Sequence, residues 1–162
     1  MPDDPANALI TPLAPVADAP ACVLFTSGST GLPKGVALTN SGLAHYFGLL
    51  DTRYDFGPDD VFSQTFDVTF DCSFFDMFCA WGAGACVVRV PPRAYRELAS
   101  FVEEAGVTVW FSTPSAVAAI RRFGGLEPGS LPGLRWSFFA GEALTCADVE
   151  RWEVAAPNTV IE

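Results

Sequence analysis

From Val61 onward the chain repeats one arrangement: a short run of apolar, largely β-branched or aromatic residues, a longer segment with helical spacing, then another such run. The runs cover residues 61–65, 85–90 ("ACVVRV"), 107–111 ("VTVWF"), 134–140 ("LRWSFFA") and the closing "NTVI". Strand followed by helix followed by strand predicts right-handed crossover units on a mostly parallel sheet, an α/β fold. The helices are expected over the almost wholly apolar stretch 72–83 and over 93–105. In the second, Tyr95, Leu98, Val102 and Ala105 share a face and Gly106 is the C-terminal stop. Two more follow Thr113, with Pro114 at the first helical position, and Thr145. Ligands of such sheets collect beyond the carboxyl ends of the strands. That rule singles out residues 70–75, 111–114 and 140–143.

The part before Val61 reads differently. Residues 1–20 are rich in Pro, Ala and Asp with little periodicity and are expected to form an arm. "ACVLF" at 21–25 is a short strand and residues 36–38 are its return, so the stretch between them is a hairpin tip. Thr39 or Asn40 caps a helix whose Leu43, Tyr46, Phe47 and Leu50 form one apolar stripe, with His45 off it and facing solvent.

The tip itself, "LFTSGSTGLPKGV", holds more hydroxyl and glycine than a turn needs. Gly28, Gly31 and Gly35 allow backbone N–H groups to converge, Thr26, Ser27, Ser29 and Thr30 add hydroxyl donors, and Lys34 adds a positive charge. Phosphate oxygens suit that donor set. Lys34 is the single lysine of the chain, all eight other basic residues being Arg. A Walker loop requires Gly-Lys followed by Ser or Thr, whereas Lys34 stands between Pro33 and Gly35, so that motif fails. The alternative is a flexible Gly/Ser hairpin with an incidental lysine.

Composition closes several other routes. Of 162 residues 50% are hydrophobic and 17% charged, enough to build a well-buried globular unit. The net charge of -10 disfavours nucleic-acid and anionic-membrane partners, which need a basic face. Residues 1–18 lack the basic start of a signal peptide, and the longest uncharged apolar run, 77–88, is far short of the ~20 residues of a membrane span. A cytoplasmic location is expected. Five cysteines without a C-x-x-C pair read as small core residues rather than disulfides or zinc ligands. One histidine cannot supply a catalytic triad or a multi-histidine metal site, and no metal-ligating residues are assigned.

Residues 26–36, Thr-Ser-Gly-Ser-Thr-Gly-Leu-Pro-Lys-Gly-Val, resemble the phosphate loop of the adenylate-forming superfamily: acyl-CoA synthetases, luciferases and the adenylation domains of nonribosomal peptide synthetases. "FDCSFFDMFCAWGAGA" at 70–85 is similar to the segment that opens the amino-acid pocket of adenylation domains, and "FFAGEAL" at 138–144 to the strand end that contacts adenine. The resemblance spans nearly all of residues 21–162 and implies the partial N-terminal core of such an enzyme, preceded by the phosphate-loop hairpin. It implies an activity too: a carboxylate is joined to ATP, giving an acyl-adenylate and pyrophosphate. Thr26, Ser27, Gly28, Ser29, Thr30, Gly31 and Lys34 would then hold phosphates, with Gly141, Glu142 and Ala143 along the adenine. Asp71 matches the residue that pairs with the α-ammonium of an amino-acid substrate, while Cys72, Phe75, Phe111, Phe138 and Ala140 would line the side-chain pocket, with limited room. Residues 66–69 imitate the Asp71 pattern four residues earlier, but "DMF" and "GAGA" follow Asp71 at the expected distance. From the residues alone, Asp71 is equally a cap for the helix starting at Cys72, and the Phe residues are equally core filling.

Family members continue beyond "NTVIE" into a Tyr-Gly-Pro-Thr-Glu segment that contacts ATP and Mg2+, and then to a C-terminal subdomain carrying a catalytic lysine. By this resemblance residues 21–162 are an incomplete AMP-binding core, its Mg2+ site unfinished and its catalytic residues unassigned, and the chain alone is expected to be inactive. Three functional readings follow. The first is a fragment of an amino-acid-activating ligase that loads a carrier protein. The second is a fragment of an acyl- or aryl-acid-CoA ligase. The third is a non-catalytic remnant that binds nucleotide or docks through exposed strands.

Overall fold

A computed structural model describes residues 14–26 and 31–162. Two compact units emerge, one ending at Gly48 and one running from Leu49 to Glu162.

The first unit is a hairpin leading into a helix. Strand β1 (Pro20–Thr26) pairs antiparallel with β2 (Lys34–Thr39), placing Thr26 opposite Lys34 at the tip. Phe25 faces Gly35, and its ring lies so close that a Cβ on Gly35 would meet Val23 at 3.1 Å and the Phe25 ring at 3.3 Å. Helix α1 (Asn40–Arg53) starts where Thr39 Oγ1 accepts the Gly42 amide at 3.1 Å. The chain joins this unit earlier than the expected arm boundary: Ala17 and Ala19 carbonyls accept the Ser41 and Asn40 amides, and Asn40 Nδ2 donates to the Val16 carbonyl at 2.9 Å. His45 is exposed.

The second unit is a five-stranded parallel sheet in the order β4 (Cys86–Arg89), β3 (Val61–Gln64), β5 (Val109–Ser112), β6 (Trp136–Phe139), β7 (Val160–Ile161). The strands fall on the apolar runs read from the sequence. Successive side chains alternate between faces, so Trp110 and Phe111 point opposite ways. On one face Phe62, Phe111 and Phe138 meet the segment following β3. On the other, helices α4 (Leu98–Ala105), α5 (Pro114–Arg122) and α6 (Cys146–Ala155) bury Leu98, Val102, Val117, Ile120 and Trp152 against Trp110, Leu131 and Leu134. Gly106 ends α4 at φ 64°, a left-handed stop that glycine adopts without strain.

Two expected helices are not continuous. The 72–83 stretch is α-helical over α2 (Cys72–Phe74), becomes a π-helical turn over Phe75–Cys79, and returns to α-helix in α3 (Ala80–Gly82). The wider turn buries Phe75, Asp76, Cys79 and Ala80 together, a broader face than the regular spacing gives. The 93–105 stretch is a 3-10 turn over Pro92–Tyr95, then a break at Glu97 (φ -131°, ψ 48°), then α4. The break lets Ala94 and Leu98 both reach the core while the Tyr95 ring approaches Trp110 at 6.5 Å. Among the described residues no helix is long and apolar enough to cross a membrane.

Candidate functional site

In the sheet order, β3 is the strand at which the connections reverse: the chain leaves it toward β4 on one side, then crosses back to β5 on the other. Loops leaving the carboxyl ends of β3 and β5 therefore diverge to opposite faces and open a crevice, the place where doubly wound sheets bind ligands. Those loops hold Thr65 to Asp71 and Thr113. The loop after β6, starting at Ala140, lies next to them.

Thr65 Oγ1 donates to the Phe111 carbonyl, tying the ends of β3 and β5 together. Phe66 sets its ring on Phe111 with centroids 4.7 Å apart. Phe75, arriving from the π turn, makes edge contacts with Phe111 at 5.2 Å and Phe138 at 4.7 Å. Three of the expected pocket residues, on three separate elements, are thus brought into one cluster. Each is less than one-tenth exposed, so the rings close over one another. Cys72, three residues before Phe75, is half-buried. Burial, reinforced by the neighbouring Asp71 charge, pushes its thiol up to about 11, so at neutral pH it is uncharged.

Asp71 is exposed at the N-cap of α2, four residues before Phe75 of this cluster. Its Oδ1 accepts the Cys72 amide at 3.0 Å. The capping role read from the residues is therefore present, and the outward-facing carboxylate keeps further acceptor capacity. Asp67, its imitator, is committed to its own loop: Oδ1 accepts both the Thr69 amide (2.9 Å) and the Thr69 hydroxyl (2.8 Å), bonds that hold its pKa below the ordinary carboxylate value.

After β6, the Ala140 amide donates to the Ser112 carbonyl at 3.3 Å, and Gly141 turns at φ 91°. Glu142 then reaches across to α5, where Oε2 accepts the Ser115 amide at 2.8 Å and Oε1 accepts the Ser115 hydroxyl at 3.1 Å. Ala143 follows, exposed. The main chain of Gly141 to Ala143 lies at the carboxyl end of the sheet, as expected, while the Glu142 side chain is engaged with the protein itself. Nothing local in the sequence announces the Glu142–Ser115 pair, because it depends on β5 and β6 being neighbours.

Asp76 went unassigned in the sequence. It is 1% exposed and neither carboxyl oxygen has a hydrogen-bond partner. Burial pushes its pKa up to about 9; the Thr65 amide opposes this only partly, from outside hydrogen-bond geometry. Asp76 is therefore a neutral acid at pH 7, directly after Phe75 in the π turn.

In the first unit, Thr26 and Lys34 face each other at the hairpin tip, both exposed, and Gly31 turns at φ 80°. Ser27, Gly28, Ser29 and Thr30 lie outside the described residues. Among the described residues no group of three His, Cys, Asp or Glu side chains is placed to hold a metal ion.

Comparison with known proteins shows the family and the fold. The family model described as "AMP-binding enzyme" matches residues 2–162. An L-proline--[L-prolyl-carrier protein] ligase of Streptomyces coelicolor is 40% identical over 125 residues, covering 75% of this chain and 24% of the ligase. Among solved structures, that of IdnL7 is 55% identical with a TM-score of 0.85, over 90% of this chain and 29% of its own. The adenylation domain AlmE of Vibrio cholerae, solved with glycyl-adenosine-5'-phosphate, is 35% identical with a TM-score of 0.83, over 91% of this chain and 28% of its own. The chain thus spans less than a third of the length of each.

Proposed function

Because the chain belongs to the AMP-binding enzyme family, we propose that it forms part of the core of a ligase that activates the carboxyl group of an amino acid with ATP, for loading onto a carrier protein. In this reaction a carboxylate oxygen attacks the α-phosphorus of ATP, the bond from that phosphorus to the oxygen bridging to the β-phosphate breaks, and pyrophosphate leaves. Atoms and charge balance without a redox partner.

The residues of this chain bind and orient rather than transfer protons. Lys34 and Thr26, facing each other across the tip, offer an ammonium and a hydroxyl to phosphate oxygens, with Ser27, Gly28, Ser29, Thr30 and Gly31 completing the loop. Donors fixed in advance around developing phosphate charge are commonly the largest contribution to catalysis of this kind. The main chain of Gly141, Glu142 and Ala143 lines the adenine. Asp71 takes the α-ammonium of the substrate in a charge-assisted contact. Cys72, Phe75, Phe111, Phe138 and Ala140 bound the side chain. Mg2+ bound with ATP would draw most of its ligands from phosphate oxygens and water, and each role above belongs to this chain's own residues.

One observation supports the amino-acid reading: an exposed carboxylate at the N-cap of α2, on the loop after β3 where the sheet connections reverse and four residues before Phe75 of the aromatic cluster. The same carboxylate's bond to the Cys72 amide favours a second reading, in which Asp71 only caps α2 and the substrate is an acyl or aryl acid lacking an amine. Amino-acid-dependent exchange of pyrophosphate into ATP, measured on the longest form of the protein, separates the two. Asp71→Ala is expected to lower kcat/KM for the amino acid by about a hundredfold or more, the usual cost of stranding one partner of a close charge pair. The KM for ATP should stay within about threefold. Unchanged amino-acid kinetics would transfer the assignment to the acyl- or aryl-acid class.

A further inference from the structure

Helix α5 opens in an unusual way. Thr113 occupies the N-cap position with the extended backbone of a capping residue (φ -81°, ψ 153°), yet its side chain makes no capping bond. Its hydroxyl instead meets the Ser115 hydroxyl at 2.9 Å. The first-turn amide that a cap would satisfy, that of Ser115, is taken by a carboxylate 27 residues further along the chain, at 2.8 Å. The second oxygen of that carboxylate takes the Ser115 hydroxyl. A two-pronged acceptor from a distant loop has displaced a cap already in place.

For the helix alone this exchange gains little, because threonine is itself a good N-cap. For the loop it is decisive. Ala140 is tied to the sheet by the hydrogen bond its amide N–H donates to the Ser112 carbonyl. Gly141 turns the chain away at φ 91°, and a Cβ there would meet only Thr113 Cγ2 at 3.9 Å, so left-handed backbone and not crowding selects glycine. Glu142 is the next anchor. A carboxylate on helix N-terminal amides is favoured both by hydrogen bonding and by the helix dipole. Gly141 is thereby held on both sides, on β5 through Ala140 and on α5 through Glu142, with Ala143 directly after the second anchor.

We infer that Glu142 is a positioning residue for nucleotide binding: its carboxylate, seated on the start of α5, holds the main chain of Gly141 to Ala143 in the shape that receives the purine. The inference rests on the assignment of those three residues to the adenine made above. It separates Glu142 from its neighbours, since its side chain acts on the protein and not on the ligand.

The test uses Glu142→Ala, Glu142→Gln and the double variant Glu142→Ala with Thr113→Asn, which installs a strong neutral local cap. Amide hydrogen exchange of residues 141–143, thermal stability, and affinities for ATP and for the amino acid are measured on each. Glu142→Ala should speed exchange at 141–143 and weaken ATP binding by about tenfold, leaving the amino-acid affinity within twofold. Glu142→Gln, which keeps an acceptor of the same shape, should recover most of both. The double variant should recover thermal stability but not ATP affinity. Recovery of ATP affinity by the new cap, or equal weakening for both ligands, would show Glu142 to be only a helix cap and overturn the inference. A parent protein that binds no nucleotide would sink the ligase reading and this inference with it, an outcome told apart because it precedes any mutation.

Discussion

The two faces of the parallel sheet are built by different rules. On the face covered by α4, α5 and α6, the buried tryptophan and aspartate side chains are matched, while the Ser130 hydroxyl, next to Leu131, has no partner. Trp152 Nε1 donates to Ser137 Oγ at 2.8 Å, Trp110 Nε1 to Ser112 Oγ at 2.9 Å, and Asp148 joins Arg121 at 2.8 Å. Helices α4, α5 and α6 are α-helical throughout, although the chain enters α4 through the 3-10 turn and the break at Glu97. On the face met by the π turn, aromatic edges of Phe56, Phe62, Phe75, Phe111 and Phe138 pile against one another, and Asp76 is left without a partner. Irregular backbone and an unsatisfied buried acid are costs that a purely structural layer avoids. The π turn and the unpaired acid both lie beside the crevice, which contrasts the first face, as framework, with a second face that borders the candidate site.

The largest test falls on the framework. Trp152 is fully buried, with ring contacts to Trp110 at 6.0 Å and Phe139 at 5.2 Å. Trp152→Ala removes this packing and its hydrogen bond, and should destabilise the fold by about 3–5 kcal/mol, read as a lower urea midpoint at unchanged slope. A loss below about 1 kcal/mol would mean that this face is not the framework, and the contrast would fail.

The next effect belongs to the other face and depends on pH. Asp76 has a folded-state pKa raised from an ordinary 3.8 to about 9, so between those values the folded chain keeps a proton that the unfolded chain has released. Stability must then fall as pH rises through that window, by up to about 1.4 kcal/mol per pH unit, and level off above it. Asp76→Asn removes the titration. Its stability between pH 6 and 8.5 should be flatter than that of the natural chain and higher at the alkaline end, by thermal or urea unfolding. Parallel curves for the two proteins would mean that Asp76 is paired in solution and that the faces are less different than they look. Asp60 shows what pairing does. Burial acts to raise its pKa, but the Thr108 hydroxyl, Arg135 and the Gly57 amide together bring it below the ordinary value.

These two faces were unequally legible in the sequence. The framework follows from short-range patterns: β-branched and aromatic runs for strands, Pro114 after Thr113, Gly106 as a stop, Thr145 before α6. Each of those signals is local, so it survives without knowledge of the fold. The stretch 72–83 carried no such information, because a segment apolar on nearly every side fixes no helical period and Asp76 offered only a lone exception. At 93–105, sharing one face among Tyr95, Leu98 and Val102 concealed the break at Glu97, which serves packing and not periodicity. The cluster of Phe75, Phe111 and Phe138 came from resemblance, since spacing alone cannot say which strands become neighbours. The Glu142–Ser115 contact was beyond reach for the same reason. It exists only once β5 and β6 lie side by side.

Two helix starts on the framework face give the smallest and sharpest comparison. At α6, Thr145 Oγ1 accepts the Asp148 amide at 3.2 Å and its hydroxyl donates to Asp148 Oδ2 at 2.8 Å, a reciprocal cap made entirely within four residues. At α5 the equivalent bond comes from Glu142, across the site. Thr145→Ala should cost about 1 kcal/mol, and Thr145→Ser should recover most of it. No ligand affinity should change with either, because the α6 cap holds nothing beyond its own helix. A shift in ATP affinity on Thr145→Ala comparable to that expected for Glu142→Ala would show that any loosened helix start disturbs the site. The distinction between a local cap and a remote one would then carry no functional meaning. If stability alone moves, the remote cap at α5 is set apart by the loop it holds, and the carboxyl end of β6 is the part of the sheet where structure has been committed to ligand.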